Sequence, residues 1–208
     1  MSDFEFVFSL FGLMLGFSLA ELLGGLVRAV KSRRTVRLGW LTPLLALFVM
    51  LDLTTFWANA WDNRELIPAR YGILVLGLLA TGLYYFAASM VFPERGEDCP
   101  DLDAHFYARR RTVLLLVGLC NGLVLVALAL IGAGEATHPV MLAIHGFYYV
   151  MLLLAAGPRL PWLNGVAIGL LILLYLYVAV VTLAFGAASR PPPVENSMAA
   201  DALDAAAP

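Results

Sequence analysis

The chain has 208 residues, of which 62% are hydrophobic and only 13% charged, with a formal net charge of −2. Soluble domains are about 45 to 50% apolar and about 25% charged, so this composition argues against a water-soluble domain and for a membrane protein. The near-neutral charge, without a basic face of interleaved aromatics, leaves no footprint for nucleic acid.

Six stretches reach the length of about 20 mainly apolar residues that a bilayer span requires. They are residues 5–30, 40–61, 71–92, 112–131, 139–157 and 162–185. Short intervening loops predict antiparallel neighbours, and hence an all-α bundle of six transmembrane helices built as three antiparallel hairpins. Prolines stay out of the span middles: Pro43, Pro139 and Pro161 lie near starts, and Pro93 and Pro158 follow ends. Trp40, Trp61, Tyr71 and Trp162 mark span edges, as interfacial aromatics do.

The first span follows Met-Ser-Asp-Phe-Glu-Phe, which has no basic n-region, and the apolar run is too long for a signal peptide. It reads as a retained helix. Gly12, Gly16, Ala20 and Gly24 recur every fourth residue and predict a smooth strip for close helix packing. Gly118/Gly122 and Gly165/Gly169 predict similar contacts on the fourth and sixth spans. Glu21, one position from the strip, is expected to point into the bundle, because a carboxylate at the bilayer centre costs about 2.5 to 3.5 kcal/mol on insertion scales.

Lys and Arg set the expected orientation. Ten of the 13 (Arg28, Lys31, Arg33, Arg34, Arg37, Arg95, Arg109, Arg110, Arg111 and Arg159) fall on one side, and three (Arg64, Arg70 and Arg190) on the other. The positive-inside rule then predicts an inner-membrane type of protein, with both termini outside the cytoplasm.

The loop 93–111 is the one sizeable internal extramembrane piece. Asp101 reads as the N-cap of a short interfacial helix with Asp103 in its first turn, running into the fourth span. Arg109, Arg110 and Arg111 there are expected to touch lipid headgroups or a partner. The tail 186–208, rich in Pro and Ala, is expected to be disordered. A weak internal repeat relates Gly16-Phe17-Ser18, Gly82-Leu83-Tyr84 and Gly146-Phe147-Tyr148, at spacings of 66 and 64.

Counting inward at about 1.5 Å per residue puts Glu21, Asp52, Tyr85, Asn121, His145 and Tyr175 in one slab roughly 10 to 20 Å deep. Ser18, Thr55, Asn59, Thr81, Tyr84, Tyr148 and Tyr149 thicken that layer. Intramembrane ionisable groups usually face the bundle interior and mark ion paths or proton relays. Glu21, Asp52 and His145 are therefore expected to converge on a midplane proton or cation site. The structural alternative is a hydrogen-bonded core that fixes helix register.

Specific chemistries are thinly represented. The single lysine, Lys31, lies at a membrane edge, so a Schiff base has no buried amine. A bis-histidine haem would need a second deep histidine besides His145; His105 and His138 lie at ends. Cys99 and Cys120 form neither a disulfide framework nor a metal knuckle, and no phosphate loop or nucleophile elbow is present. No metal or cofactor is expected. The sequence thus points first to a small transporter or channel in the lipid bilayer, possessing a partner membrane protein or further copies of itself. The alternative is a non-transporting scaffold or accessory subunit docking a partner through the Asp101–Arg111 segment. An intramembrane enzyme acting on a lipid-like substrate is a third reading.

Overall fold

Each apolar stretch becomes a helix because a backbone in hydrocarbon must satisfy its own hydrogen bonds within the segment. In a computed structural model of the chain, the helices are α1 (Asp3–Lys31), α2 (Leu41–Asp62), α3 (Tyr71–Ser89), α4 (Leu102–Leu130), α5 (Pro139–Ala156) and α6 (Pro161–Ala188). The structure describes residues 3–34, 36–37, 39–64, 70–94, 101–130 and 139–188. All six helices are long and apolar enough to cross a membrane. Among the described residues there is no strand, only an isolated bridge between Arg37 and Asp101.

By internal contacts the chain separates into Met1–Tyr175 and Leu176–Pro208. The first unit holds α1 to α5 and residues 161–175 of α6. The described part of the second, residues 176–188, is the closing stretch of α6. Within the first unit, α4 is central and packs on α2, α3 and α5, while α1 lies against α3 and α2. The outward faces are apolar: Leu13, Leu79, Leu115, Leu153 and Leu173 are all exposed. Such a surface suits a bilayer, since soluble proteins rarely expose apolar patches beyond a few hundred Å².

Several boundaries differ from the expected spans. Helix α3 stops at Ser89, because Met90 and Val91 donate to Ala87 and Ala88 in tight three-residue turns. Phe92 precedes Pro93, a position that disfavours the helical region, and packs its ring on Gly25 of α1. The interfacial helix expected before the fourth span and the span itself are one continuous helix of 29 residues. Asp101 accepts from the Asp103 amide at 2.9 Å, as an N-cap should. The last described residues of α6, Gly186 to Ala188, are helical, whereas the tail was expected to begin at Gly186. Residues 189–208, Cys99, His138, Arg95 and Arg190 lie outside the described residues.

Helix α2 begins without a capping side chain of its own. Asp103 supplies one from α4, its Oδ1 accepting from the Leu41 amide at 3.3 Å. Thr42 Oγ1 donates to the Leu102 carbonyl at 2.7 Å, and the Leu102 amide donates to the Arg37 carbonyl at 3.1 Å. The α1–α2 turn is thereby knitted to the start of α4.

Candidate functional site

Asp52 is near the middle of α2 and 1% exposed. On its own helix it has Phe48 four residues before and Phe56 four residues after, so both rings lie on its face. The Phe56 ring meets Tyr84 edge-on at 5.3 Å. The Phe48 ring packs on Tyr175 at 6.2 Å and on Tyr148 at 6.4 Å. These apolar walls exclude water and aim three phenols at one carboxylate.

The donors arrive from four helices. Tyr84 of α3 donates to Asp52 Oδ2 at 2.7 Å. Tyr148 of α5 donates to Oδ1 at 3.1 Å, and Tyr175 of α6 donates to the same oxygen. Asn121 of α4 places Nδ2 at 3.0 Å from Oδ2 and 3.2 Å from Oδ1. A carboxylate offers about four lone-pair sites, and four donor groups face it here. Asn121 Nδ2 is also 3.1 Å from the Val117 carbonyl and 3.1 Å from the Tyr148 hydroxyl. Its two N–H bonds are therefore shared among more acceptors than they can serve at once. Cys120 closes the cluster's edge by donating to the Ala80 carbonyl at 3.4 Å.

The structure does not bring Glu21 or His145 to this cluster. Glu21 accepts from Arg28 of its own helix at 3.1 Å, and both side chains are about one-third exposed. A cation seven residues away, two turns along α1, offers the carboxylate a nearer partner than the bundle centre does. His145 is half-buried and donates from Nδ1 to the Met141 carbonyl at 2.7 Å, one turn back on α5. The expected convergence of Glu21, Asp52 and His145 is replaced by three separate environments.

The supporting polar residues divide in the same way. Tyr84, Asn121, Tyr148 and Tyr175 join Asp52. Ser18, Thr55 and Thr81 donate instead to the carbonyls of Met14, Leu51 and Gly77, four residues back on their own helices. Tyr149 donates to the Gly118 carbonyl at 3.1 Å. Tyr85 and Asn59 are exposed.

Nor do the glycines of α1 form one seam. Gly12 lies against the Trp57 ring, while Gly16 faces open space, Ala20 is exposed, and Gly24 is near only Arg28 of its own helix. At about 100° per residue, twelve residues rotate a helix face by about 120°, so the strip winds away from its first partner. Close approach occurs at Gly77, beneath Phe11, and at Gly25. Gly118 and Gly122 do meet α5, through Leu152 and Tyr149, and Gly165 meets the Trp40 ring. Gly169 has nothing nearby.

Arg110 corrects the expectation of a headgroup contact. It is 1% exposed and donates to the carbonyls of Ala155 at 3.1 Å and Gly157 at 3.0 Å. Those carbonyls are left without helical partners where α5 ends, and a guanidinium fork satisfies them. Arg111 donates to Ala156 and Gly157 from the exposed side. Asn164, a single polar residue near the start of the sixth span, donates to the carbonyls of Ala155 and Pro158 and accepts from Tyr107. The sequence shows the Gly157-Pro158 helix end and the three consecutive arginines, but they lie about 45 residues apart and only the fold brings them together.

Six apolar spans closed around one hydrogen-bonded carboxylate define an integral membrane protein of the polytopic α-helical class. No family model, no curated protein and no solved structure matches the chain.

Proposed function

We propose that this protein is a non-transporting membrane scaffold or accessory subunit, whose helices are locked around Asp52. One observation carries this reading: four donors from α3, α4, α5 and α6 close on a single carboxylate of α2. Alternating access needs one group of helices to rock against another around a site. Here, movement of α2 against any of the four helices breaks a bond to Asp52 inside hydrocarbon, where replacement water is scarce. The segregation of Glu21 and His145 from Asp52 supports the same reading, because a relay needs its titratable groups within reach of one another. The skewed distribution of Lys and Arg favours an Arg-rich edge toward the cytoplasm and both termini away from it. The exposed apolar flank is the surface available to a partner membrane protein or a second copy.

The test is proton uptake by proteoliposomes under a potassium diffusion potential, paired with thermal unfolding of the purified protein. Scaffolding predicts uptake equal to that of empty liposomes and a lower unfolding temperature for Asp52→Asn. A second reading, a proton- or cation-coupled transporter, is favoured by the three phenolic hydroxyls on Asp52, since hydroxyls can pass protons. Uptake by the wild type that disappears in a folded Asp52→Asn protein would replace the first reading with the second.

A further inference from the structure

A second polar region lies away from Asp52. At the Arg-rich edge, α1, the end of α3 and the start of α4 enclose a cleft of about 980 Å³, at the upper end of the range for small-ligand sites. Its lining includes Glu21, Arg28, Tyr85, Glu94, His105 and Arg109. Tyr85 is 40% exposed, and the neighbouring lining residue Phe86 is 57% exposed, so the cleft opens sideways through the lipid-facing flank of α3.

The direction of Arg28 is informative. An arginine near a membrane edge ordinarily extends its head outward to water. Arg28 instead turns back along α1 to Glu21, seven residues or about 10 Å deeper. The lining therefore keeps charge below the membrane edge. His105 Nε2 is directed to the Met90 carbonyl at 3.3 Å, and Arg109, also in the lining, is exposed. Two carboxylates and two guanidiniums line one cleft, a balance of signs unlike the purely basic patch that suits anionic lipids.

From this juxtaposition we infer that the cleft binds the headgroup of a zwitterionic phospholipid bearing a primary ammonium, of the phosphatidylethanolamine type. Its phosphate accepts from Arg109 and Arg28, since guanidinium forks match phosphate oxygens. Its ammonium, with three N–H donors, faces the carboxylates of the lining, Glu21 and Glu94. A choline headgroup has no N–H to donate, and a glycerol headgroup carries no cation. The acyl chains leave through the sideways opening, over Phe86 and along the exposed Val27 of α1.

The experiment titrates delipidated full-length protein in detergent with short-chain phosphatidylethanolamine, phosphatidylcholine, phosphatidylglycerol and soluble phosphoethanolamine, reading binding by native mass spectrometry. The expected result is that phosphatidylethanolamine binds at least fivefold more tightly than the other two lipids and than the soluble headgroup. Arg109→Gln should weaken that binding about tenfold with an unchanged unfolding temperature, because Arg109 is exposed and outside the core. Glu21→Gln should narrow the preference over phosphatidylcholine. Equal affinities for the three lipids, tighter phosphatidylglycerol binding, or unaltered binding by Arg109→Gln would each overturn the inference. Soluble phosphoethanolamine binding as tightly as the lipid would likewise overturn it, in favour of a water-borne ligand.

Discussion

The Tyr84 hydroxyl lies 2.7 Å from Asp52 Oδ2, joining α3 to α2 across 32 residues of chain, and both side chains are buried. Tyr84→Phe removes that donor without changing the ring that packs on Phe56. Hydrogen bonds to charged groups are worth about 1.5–3 kcal/mol, so unfolding stability in detergent should fall by about that much. Tyr85→Phe, one residue along and exposed, should leave stability unchanged within about 0.5 kcal/mol. Equal losses for both variants would mean that the Asp52 contact does not hold the bundle.

Asp52→Asn keeps the volume but replaces one acceptor oxygen with a donor facing other donors. Asp52→Leu removes both acceptors and leaves the whole donor set facing methyl groups. A buried polar group without a partner costs about 1–3 kcal/mol, so Asp52→Leu should be the more destabilising. In a double-mutant cycle, Asp52→Asn and Tyr148→Phe should couple by about 0.5–3 kcal/mol, because the two groups share one bond. Additive effects in thermal or denaturant unfolding would contradict the geometry.

Hydropathy made the six helices legible, because a span needs only length and apolarity. The depth count also brought Asn121 and Tyr175 to the level of Asp52 but chose the exposed Tyr85 on α3; Tyr84 and Tyr148, which thicken that layer, fall at matching positions of the weak internal repeat. Depth, however, does not fix rotation about the helix axis. Glu21 and His145 are at a suitable depth but find partners on their own helices, Arg28 and the Met141 carbonyl. The same limit applies to Arg110, where charge and position read as an interfacial anchor. Only the fold shows the open carbonyls of Ala155 and Gly157 beside it.

Arg110→Lys tests that helix-end role. Lysine keeps the charge but presents a point donor where the fork reaches two carbonyls, so at least one of Ala155 and Gly157 loses its bond. The expected loss is about 1–3 kcal/mol of unfolding stability. Arg111→Lys, on the exposed side of the same turn, should cost much less. Hydrogen exchange at the end of α5 should rise in Arg110→Lys; if it does not, the guanidinium is not what holds that end.

Gly39 is the sharpest backbone constraint. Its φ of 54° lies in the left-handed region, and an added Cβ would run into the Asp103 carboxylate that caps α2. Gly39→Ala therefore combines a conformational cost of about 1–2 kcal/mol with displacement of Asp103 from the Leu41 amide. Shortening the side chain does not help, because alanine is already the smallest residue with a Cβ. Asp103→Ala should reproduce the loss of the cap, typically about 1 kcal/mol, without the backbone strain. The double variant should then be less destabilised than the sum of the two, since the clash partner is gone. Gly16→Ala is the control: nothing lies within 4 Å of its added methyl, and alanine is favoured over glycine inside a helix by about 0.5–1 kcal/mol, so it should unfold no earlier than the wild type. A Gly39→Ala protein as stable as Gly16→Ala would show that the α1–α2 turn does not depend on the left-handed residue.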